Sequence, residues 1–381
     1  MANEFIHKAV GAQLSQTAEY EHIEAHQFEG QEQGDVLYAS SATQLSKLAH
    51  GNVGEFLQSG GHGANPSWAA ISRKNVIING AGQVYQRAAA YTLVKDTYGI
   101  ACDRWYGMAT GTAVSAGTFE QYPAAISGGY SKTGFYFNGV TLTGTGILYL
   151  RYRMEAKDAA YFMNNTASFS CRVYHNVGSA INYTIYIRKA DAADNFSAVT
   201  AISDSGAISV AGAAQSLSYL GIAMGDCSNG VEIEIKIECG AITTKGFIIT
   251  DCQFELGSVA TPFEFRPYGQ ELVLCQRYFQ KSYLPDVAPG AATSAGAQQW
   301  ENGAANTATK GIMCAFTVQT RIEASVIIYD DAGASGKCTN AGGDGQTADV
   351  QNVSTRSFQI RDLSTVSTSW FRSSYTASAE L

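Results

Sequence analysis

The chain has 381 residues, of which 45% are hydrophobic and 15% charged, with 39 glycines, 21 tyrosines, 17 phenylalanines and a net charge of −8. That length suits about two to three domains at ~150 residues each, and the composition excludes wholesale disorder while favouring strands and tight turns over helices. No basic stripe is present to hold nucleic acid, no 18-residue apolar run can span a bilayer, and "MANEFIHKAVGAQLSQ" lacks the apolar core of a signal peptide, so the expectation is a protein made in a cytosol, with neither nucleic acid nor a membrane as partner.

Residues 1–33 are the most helix-like part. Thr17 can cap a helix whose positive end holds Glu19, Glu21 and Glu24. Within it "HIEAH" places His22 and His26 one turn apart on a single face, a spacing that can bind a metal. The pattern is not HExxH, and a solvated helix face is the simpler account. Residues 34–74 alternate short apolar pieces (Val36–Tyr38, Leu45–Leu48, Glu55–Leu57, Trp68–Ile71) with Gly, Ser and Asn. Each piece is too short to bury its own side chains, so an extended shaft completed by other chains is expected rather than a plain flexible linker.

From residue 75 to 268 strand signals dominate. "VEIEIKIE" alternates, so Val231, Ile233, Ile235 and Ile237 face a core while Glu232 and Glu234 are expected to face water. "GILYLRYRME" groups Leu148, Leu150, Tyr152 and Met154, and "YTIYIRK" groups Tyr183, Ile185 and Ile187. Many short antiparallel strands separated by polar turns predict a β-sandwich, most simply a jelly roll. Eight cysteines occur without a CxxC pair, which reads as buried reduced thiols rather than a zinc site. Residues 269–381 open on "ELVLCQRYF", a short helix or a strand, and continue through a loop-rich passage into strands at Ile312–Val318, Ala324–Tyr329 and Ser357–Arg361. They form a second, smaller β domain in this reading. The expected fold is therefore mainly β.

Several stretches together resemble the jelly-roll domains of bacteriophage virion fibre proteins. "RKNVIINGAGQVYQRA" and "YGIACDRWYG" are similar to that family's N-L-x-x-N-G, W-Q-R and A-D-R-W segments through Asn75, Asn79, Gly80, Gln86, Arg87, Asp103, Arg104 and Trp105. Tyr85 stands where Trp is usual, and Cys102 where Ala is. "ELGSVATPFEFRPYG" followed by "ELVLCQRYF" resembles the closing signature, with Cys252–Leu256 as the last strand. Pro262 and Pro267 cannot donate ladder bonds, so the sheet should end near them, and Leu272, Leu274, Tyr278 and Phe279 then need partners between domains or between chains. "GDVLYASSATQLSKLA" with the later "PSWA" resembles a shaft repeat of phage fibres.

The resemblance implies a homotrimeric tail fibre exposed on a virion assembled in the host cytoplasm. Residues 1–33 would attach to other virion proteins, and host surface polysaccharide would be the ligand. A head fibre or capsid decoration protein is the alternative, and a glycan-degrading tailspike a further one. Sugar binding needs flat aromatic faces beside polar side chains, and the exposed-looking candidates are Trp300, Trp370, Tyr375, Tyr130 and Tyr136. Trp105 is expected in the core, with Asp103 and Arg104 as a local pair. Catalysis would need paired carboxylates in one groove. Glu232 and Glu234 read as a solvated face and Asp330–Asp331 as a turn, so neither an enzyme nor a cofactor is expected.

Overall fold

The computed structural model describes residues 32–51, 55–61, 63–70, 75–306 and 310–381. The helix expected over residues 1–33, with Thr17, His22 and His26, lies outside the described residues. The chain divides into two compact units, Met1–Arg73 and Lys74–Leu381.

In the first unit the short apolar pieces form two hairpins, Val36–Ala39 with Leu45–Leu48 and Glu55–Gln58 with Ser67–Ala70. Four-residue strands in pairs cannot close a core of their own. Leu37, Leu45, Phe56 and Leu57 accordingly remain between 38% and 51% exposed.

The second unit is a jelly-roll sandwich joined to a C-terminal sheet. The front sheet runs, edge to edge, Asn195–Asp204, Ile181–Ala192, Val231–Glu238, Ile147–Met154, Trp105–Thr110 and Gly99–Ile100, with Ile208–Val210 also paired to Ile181–Ala192. The back sheet runs Gln215–Ala223, Thr166–His175, Ile242–Leu256, Gly134–Thr143, Ala113–Tyr122 and Ala90–Thr92. Because side chains alternate along a strand, the predicted apolar sets of the three central front strands all point inward, and none of their eleven residues is more than 1% exposed. Trp105 sits among them, its ring 4.6 Å from Phe135 and 5.1 Å from Tyr152.

Ile242–Leu256 is a fifteen-residue central strand, so Cys252–Leu256 is the end of a long strand. Its inward set changes parity midway: Phe247 and Ile249, then Cys252 and Phe254. Asp251, with a left-handed backbone (φ 53), absorbs the extra residue as a bulge. After this strand the chain passes its two prolines and forms the helix Tyr268–Gln276. Cys275 and Tyr278 belong to the sandwich core, with Leu272 and Leu274 packed against it. Their partners are thus supplied by this chain's own sandwich.

The C-terminal sheet is organised on Thr368–Ser378, an eleven-residue strand. Two short strands follow one another along each of its edges, Phe279–Lys281 and Gln298–Asn306 on one, Ser325–Tyr329 and Lys337–Asn340 on the other. This splitting curls the sheet into a half-barrel around Phe316, Phe358, Phe371 and Tyr375. The expected strands appear here as Lys310–Ala315, Ser325–Tyr329 and Ser357–Asp362.

The residues that carry the fibre resemblance are architectural. Asn75 Nδ2 donates to the Cys252 carbonyl at 3.1 Å, and its Oδ1 accepts from Ile77 and Phe254. Asn79, left-handed at φ 58, closes its loop through Val84 and Asp103. A Cβ on Gly80 would lie 2.2 Å from the Cys252 carbonyl oxygen, which leaves room for glycine alone. Asp103 and Arg104 are not a pair. Asp103 accepts from Gln86 at 2.6 Å, whereas Arg104, left-handed at φ 73, turns to Glu380. Arg87 reaches the same carboxylate at 2.6 Å, and Gln86 also donates to the Phe279 carbonyl. The motif thus ties the sandwich to the half-barrel at Phe279 and at Glu380, two residues beyond the strand Thr368–Ser378.

Candidate functional site

The outer face of the front sheet follows from its register. Along Val231–Glu238, Glu232 lies between Arg188 and Arg153, Glu234 between Tyr186 and Arg151, and Lys236 between Thr184 and Tyr149. One strand further, Tyr106 stands beside Arg151 and Met108 beside Tyr149. Three strands that each alternate apolar with polar residues therefore assemble an ordered field of Tyr, Arg and Glu on the face opposite the core. Tyr98, Met108, Tyr149, Tyr186 and Val199 join these charged residues around an open cleft of about 400 Å³.

Glu232 and Glu234 do not face water, as the alternation alone predicts. They are 1% and 2% exposed, because the arginines of the neighbouring strands fold over them. Arg151 holds Glu234 Oε2 through two N–H groups at 3.0 and 2.8 Å, and the Tyr98 hydroxyl donates to the same oxygen at 2.5 Å. Arg188 bridges both residues, donating to Glu234 Oε1 at 2.8 Å and Glu232 Oε1 at 3.1 Å. Glu232 Oε2 accepts from Arg153 at 3.0 Å and lies 3.3 Å from Arg151. The Arg151 guanidinium lies 3.6 Å over the Tyr98 ring, and Arg188 is 4.8 Å over Tyr186.

Burial raises the Glu234 carboxyl, but the Tyr98 hydroxyl and the Arg151 and Arg188 charges outweigh it and hold it below the ordinary glutamate range. Burial, then the Glu234 charge, pushes the Tyr98 phenol well up. Tyr98 is thereby kept as a neutral donor and Glu234 as an ion. Such a carboxylate is poorly suited to protonating a leaving group, which a glycosidase needs from one member of its pair. The arrangement suits binding: aromatic side chains on a rigid sheet, with fixed donors between them.

The five aromatic candidates do not come together. Tyr130 is 61% exposed on a loop that the Asp251 carboxylate holds by accepting from the Tyr130 and Ser131 amides. Tyr136 lies on the back-sheet strand Gly134–Thr143, its ring edge-on to Tyr122 at 5.2 Å. Trp300 is half-buried on the half-barrel, stacked on Phe371 at 5.8 Å. Trp370 is half-buried beneath the Arg372 guanidinium at 5.3 Å. Tyr375, expected at the surface, is 5% exposed in the half-barrel core. It stands on Thr368–Ser378, which is paired along both edges, and its ring packs on Phe316 and Phe358. Asp330–Asp331 form the expected turn, with Asp330 buried as its organiser and Asp331 paired to Arg372. Among the described residues no group of three or more His, Cys, Asp or Glu could hold a metal, and all eight cysteines are free and buried.

No family model matches the chain, and no curated protein matches it. Similar solved structures include the enzymatically active domain of tailspike protein 4 of bacteriophage CBA120, at 13% identity and a TM-score of 0.31. That similarity covers 48% of this chain, and the chain spans only 21% of that domain. TmCBM61, solved with β-1,4-galactotriose, is similar at 11% identity and a TM-score of 0.29, over 49% of this chain and 99% of its own. The C-terminal family 22 carbohydrate-binding module of Clostridium thermocellum Xyn10B is similar at 12% identity and a TM-score of 0.28, over 42% and 89%.

Proposed function

We propose that this chain is a fibre protein of a phage virion that binds host surface glycan through the front-sheet cleft. The observation that carries the binding half is the cleft itself, where Tyr149 and Tyr186 flank charged residues already fixed by one another. The two tyrosines stand on strands two spacings apart, ~10 Å laterally, a platform for an extended chain rather than a small metabolite. The reading is one of recognition without turnover, since both glutamates are occupied by arginine.

The fibre half rests on the sequence resemblance and on the hairpins of the first unit. Leu37, Leu45, Phe56 and Leu57 are apolar and exposed on strands too short to bury them. Two further copies of the chain are the proposed cover, giving a trimer in which three weak glycan sites act together. The N-terminal segment would attach this trimer to the particle.

The test is adsorption competition. Purified protein, incubated with host cells before the phage, reduces adsorption in a dose-dependent way, and Tyr149→Ala with Tyr186→Ala abolishes that effect. Native mass spectrometry shows a trimer. A folded trimer that does not compete would favour a head-fibre role, and a monomer would remove the assembly half.

A further inference from the structure

The charged groups of the cleft leave only donors free, and beside them stand the Tyr149 and Tyr186 hydroxyls, which can both donate and accept. Glu234 gives Oε2 to Tyr98 and Arg151 and Oε1 to Arg188; Glu232 gives Oε1 to Arg188 and Oε2 to Arg153. All four carboxylate oxygens are thus engaged, and both side chains lie beneath the arginines at 2–3% exposure. The donors are not used up. Among the described residues, Arg188 Nε and Nη2 and Arg151 Nη1 have no protein partner, while their side chains are 22% and 18% exposed. Lys236 adds an ammonium at the same face, its side chain 21% exposed and bonded to Glu238 at 2.6 Å. The tyrosine hydroxyls can meet the hydroxyls of a neutral sugar, whereas the free guanidinium edges are donors alone, which an oxyanion satisfies best. The free N–H groups of Arg151 and Arg188 open into the cleft beside Lys236, whose charge is balanced by Glu238, on a chain whose net charge is −8.

We infer that the glycan taken by this cleft is anionic, its carboxylate or sulfate group seated between the guanidiniums of Arg151 and Arg188 with Lys236 alongside, while its sugar rings lie against Tyr149 and Tyr186. The inference rests on the glycan-binding reading and narrows it to a substrate class. Guanidinium is the group whose planar fork matches such an oxyanion, and charge-assisted bonds of this kind are about twice as strong as neutral ones. The buried glutamates then act as positioning residues: they hold the two guanidiniums in place before the ligand arrives, so little order is lost on binding.

The experiment is affinity electrophoresis and calorimetry of the full chain with four polymers: polygalacturonate, its carboxyl-reduced product, a sulfated galactan and its desulfated product. At least one acidic polymer binds ~10-fold or more tightly than its neutral counterpart, and which acid is preferred separates carboxylate from sulfate. Lys236→Gln, at a partly exposed position, cuts that preference by ~3-fold or more, and Arg188→Gln removes it, with unfolding curves recorded for both. Equal or tighter binding of the neutral polymers, still lost in Tyr149→Ala, overturns the anionic inference and keeps the glycan site. Binding of none of the four by the folded protein overturns both. An acidic preference undiminished in both Arg188→Gln and Lys236→Gln places the anion elsewhere and overturns the assignment to this cleft.

Discussion

Two arginine–glutamate clusters lie in the second unit, built from the same side chains to opposite ends. On the front sheet, Glu232 and Glu234 are shared by three arginines whose outer edges reach solvent. At the junction with the half-barrel, Glu380 is shared by Arg87 and Arg104, and Arg104 is fully buried, its guanidinium 3.5 Å over the Tyr278 ring. The first cluster spends its carboxylates to hold donors at a surface. The second closes on itself and joins distant segments. The difference lies in Arg104: its side chain is 0% exposed and can only hold the fold, although Arg87 beside it is 18% exposed, as Arg151 is in the front-sheet cluster.

The largest loss is expected at Glu380. Glu380→Ala leaves Arg104 charged and unpaired in the interior, and removing one partner of a buried pair costs about 3–5 kcal/mol. Denaturant unfolding should show that loss, and an unchanged midpoint would dispute the clamp. Asp103, beside the same cluster, gives a pH signature. Burial pushes its carboxyl up to about 6, against the pull of Arg87 and Gln86. The folded state then binds more protons than the unfolded state between its ordinary value and about 6. Stability from this group is therefore present at low pH and lost as pH rises through that window, by up to about 3 kcal/mol. Asp103→Asn does not titrate, so the stability of the native chain relative to this variant should fall from pH 4 to 6.5 and stay level above.

Smaller effects sharpen the other side. Tyr149→Ala should weaken glycan binding ~10-fold, about 1.4 kcal/mol, while lowering stability by no more than about 1 kcal/mol. A stability loss larger than the binding loss would make the residue structural. Tyr130→Ala should change stability by less than about 0.5 kcal/mol and leave glycan binding as it was, because its loop is held by backbone bonds to Asp251 and lies apart from the cleft. A clear loss of binding there would move the site to the opposite sheet.

Which residues face inward along Val231–Glu238, Ile147–Met154 and Tyr183–Lys189 was legible from alternation, because period two is a property of a single strand. The complement of that alternation is Tyr149, Arg151, Arg153, Tyr186 and Arg188, a signal from which the cleft could have been found but which was not drawn from the sequence. Its assembly could not, because the burial of Glu232 and Glu234 comes from arginines at 151, 153 and 188 that are brought to them by cross-strand register. The choice of Tyr375 as a surface residue failed for a related reason: an aromatic side chain carries no local mark of whether its sheet will curl around it.

Local pattern along the chain suffices for the β class, the inward faces of the strands, the buried place of Trp105 and the end of the back-sheet strand ahead of Pro262 and Pro267. Those features depend on neighbours within a few residues. It takes the folded chain to bring Arg104 to Glu380 rather than Asp103, to dock Tyr268–Gln276 on the sandwich as a helix, and to pool the outer faces of three strands into one cleft. Each of those depends on groups far apart in the chain, whose charge and shape act on one another only once the backbone has brought them within a few ångströms.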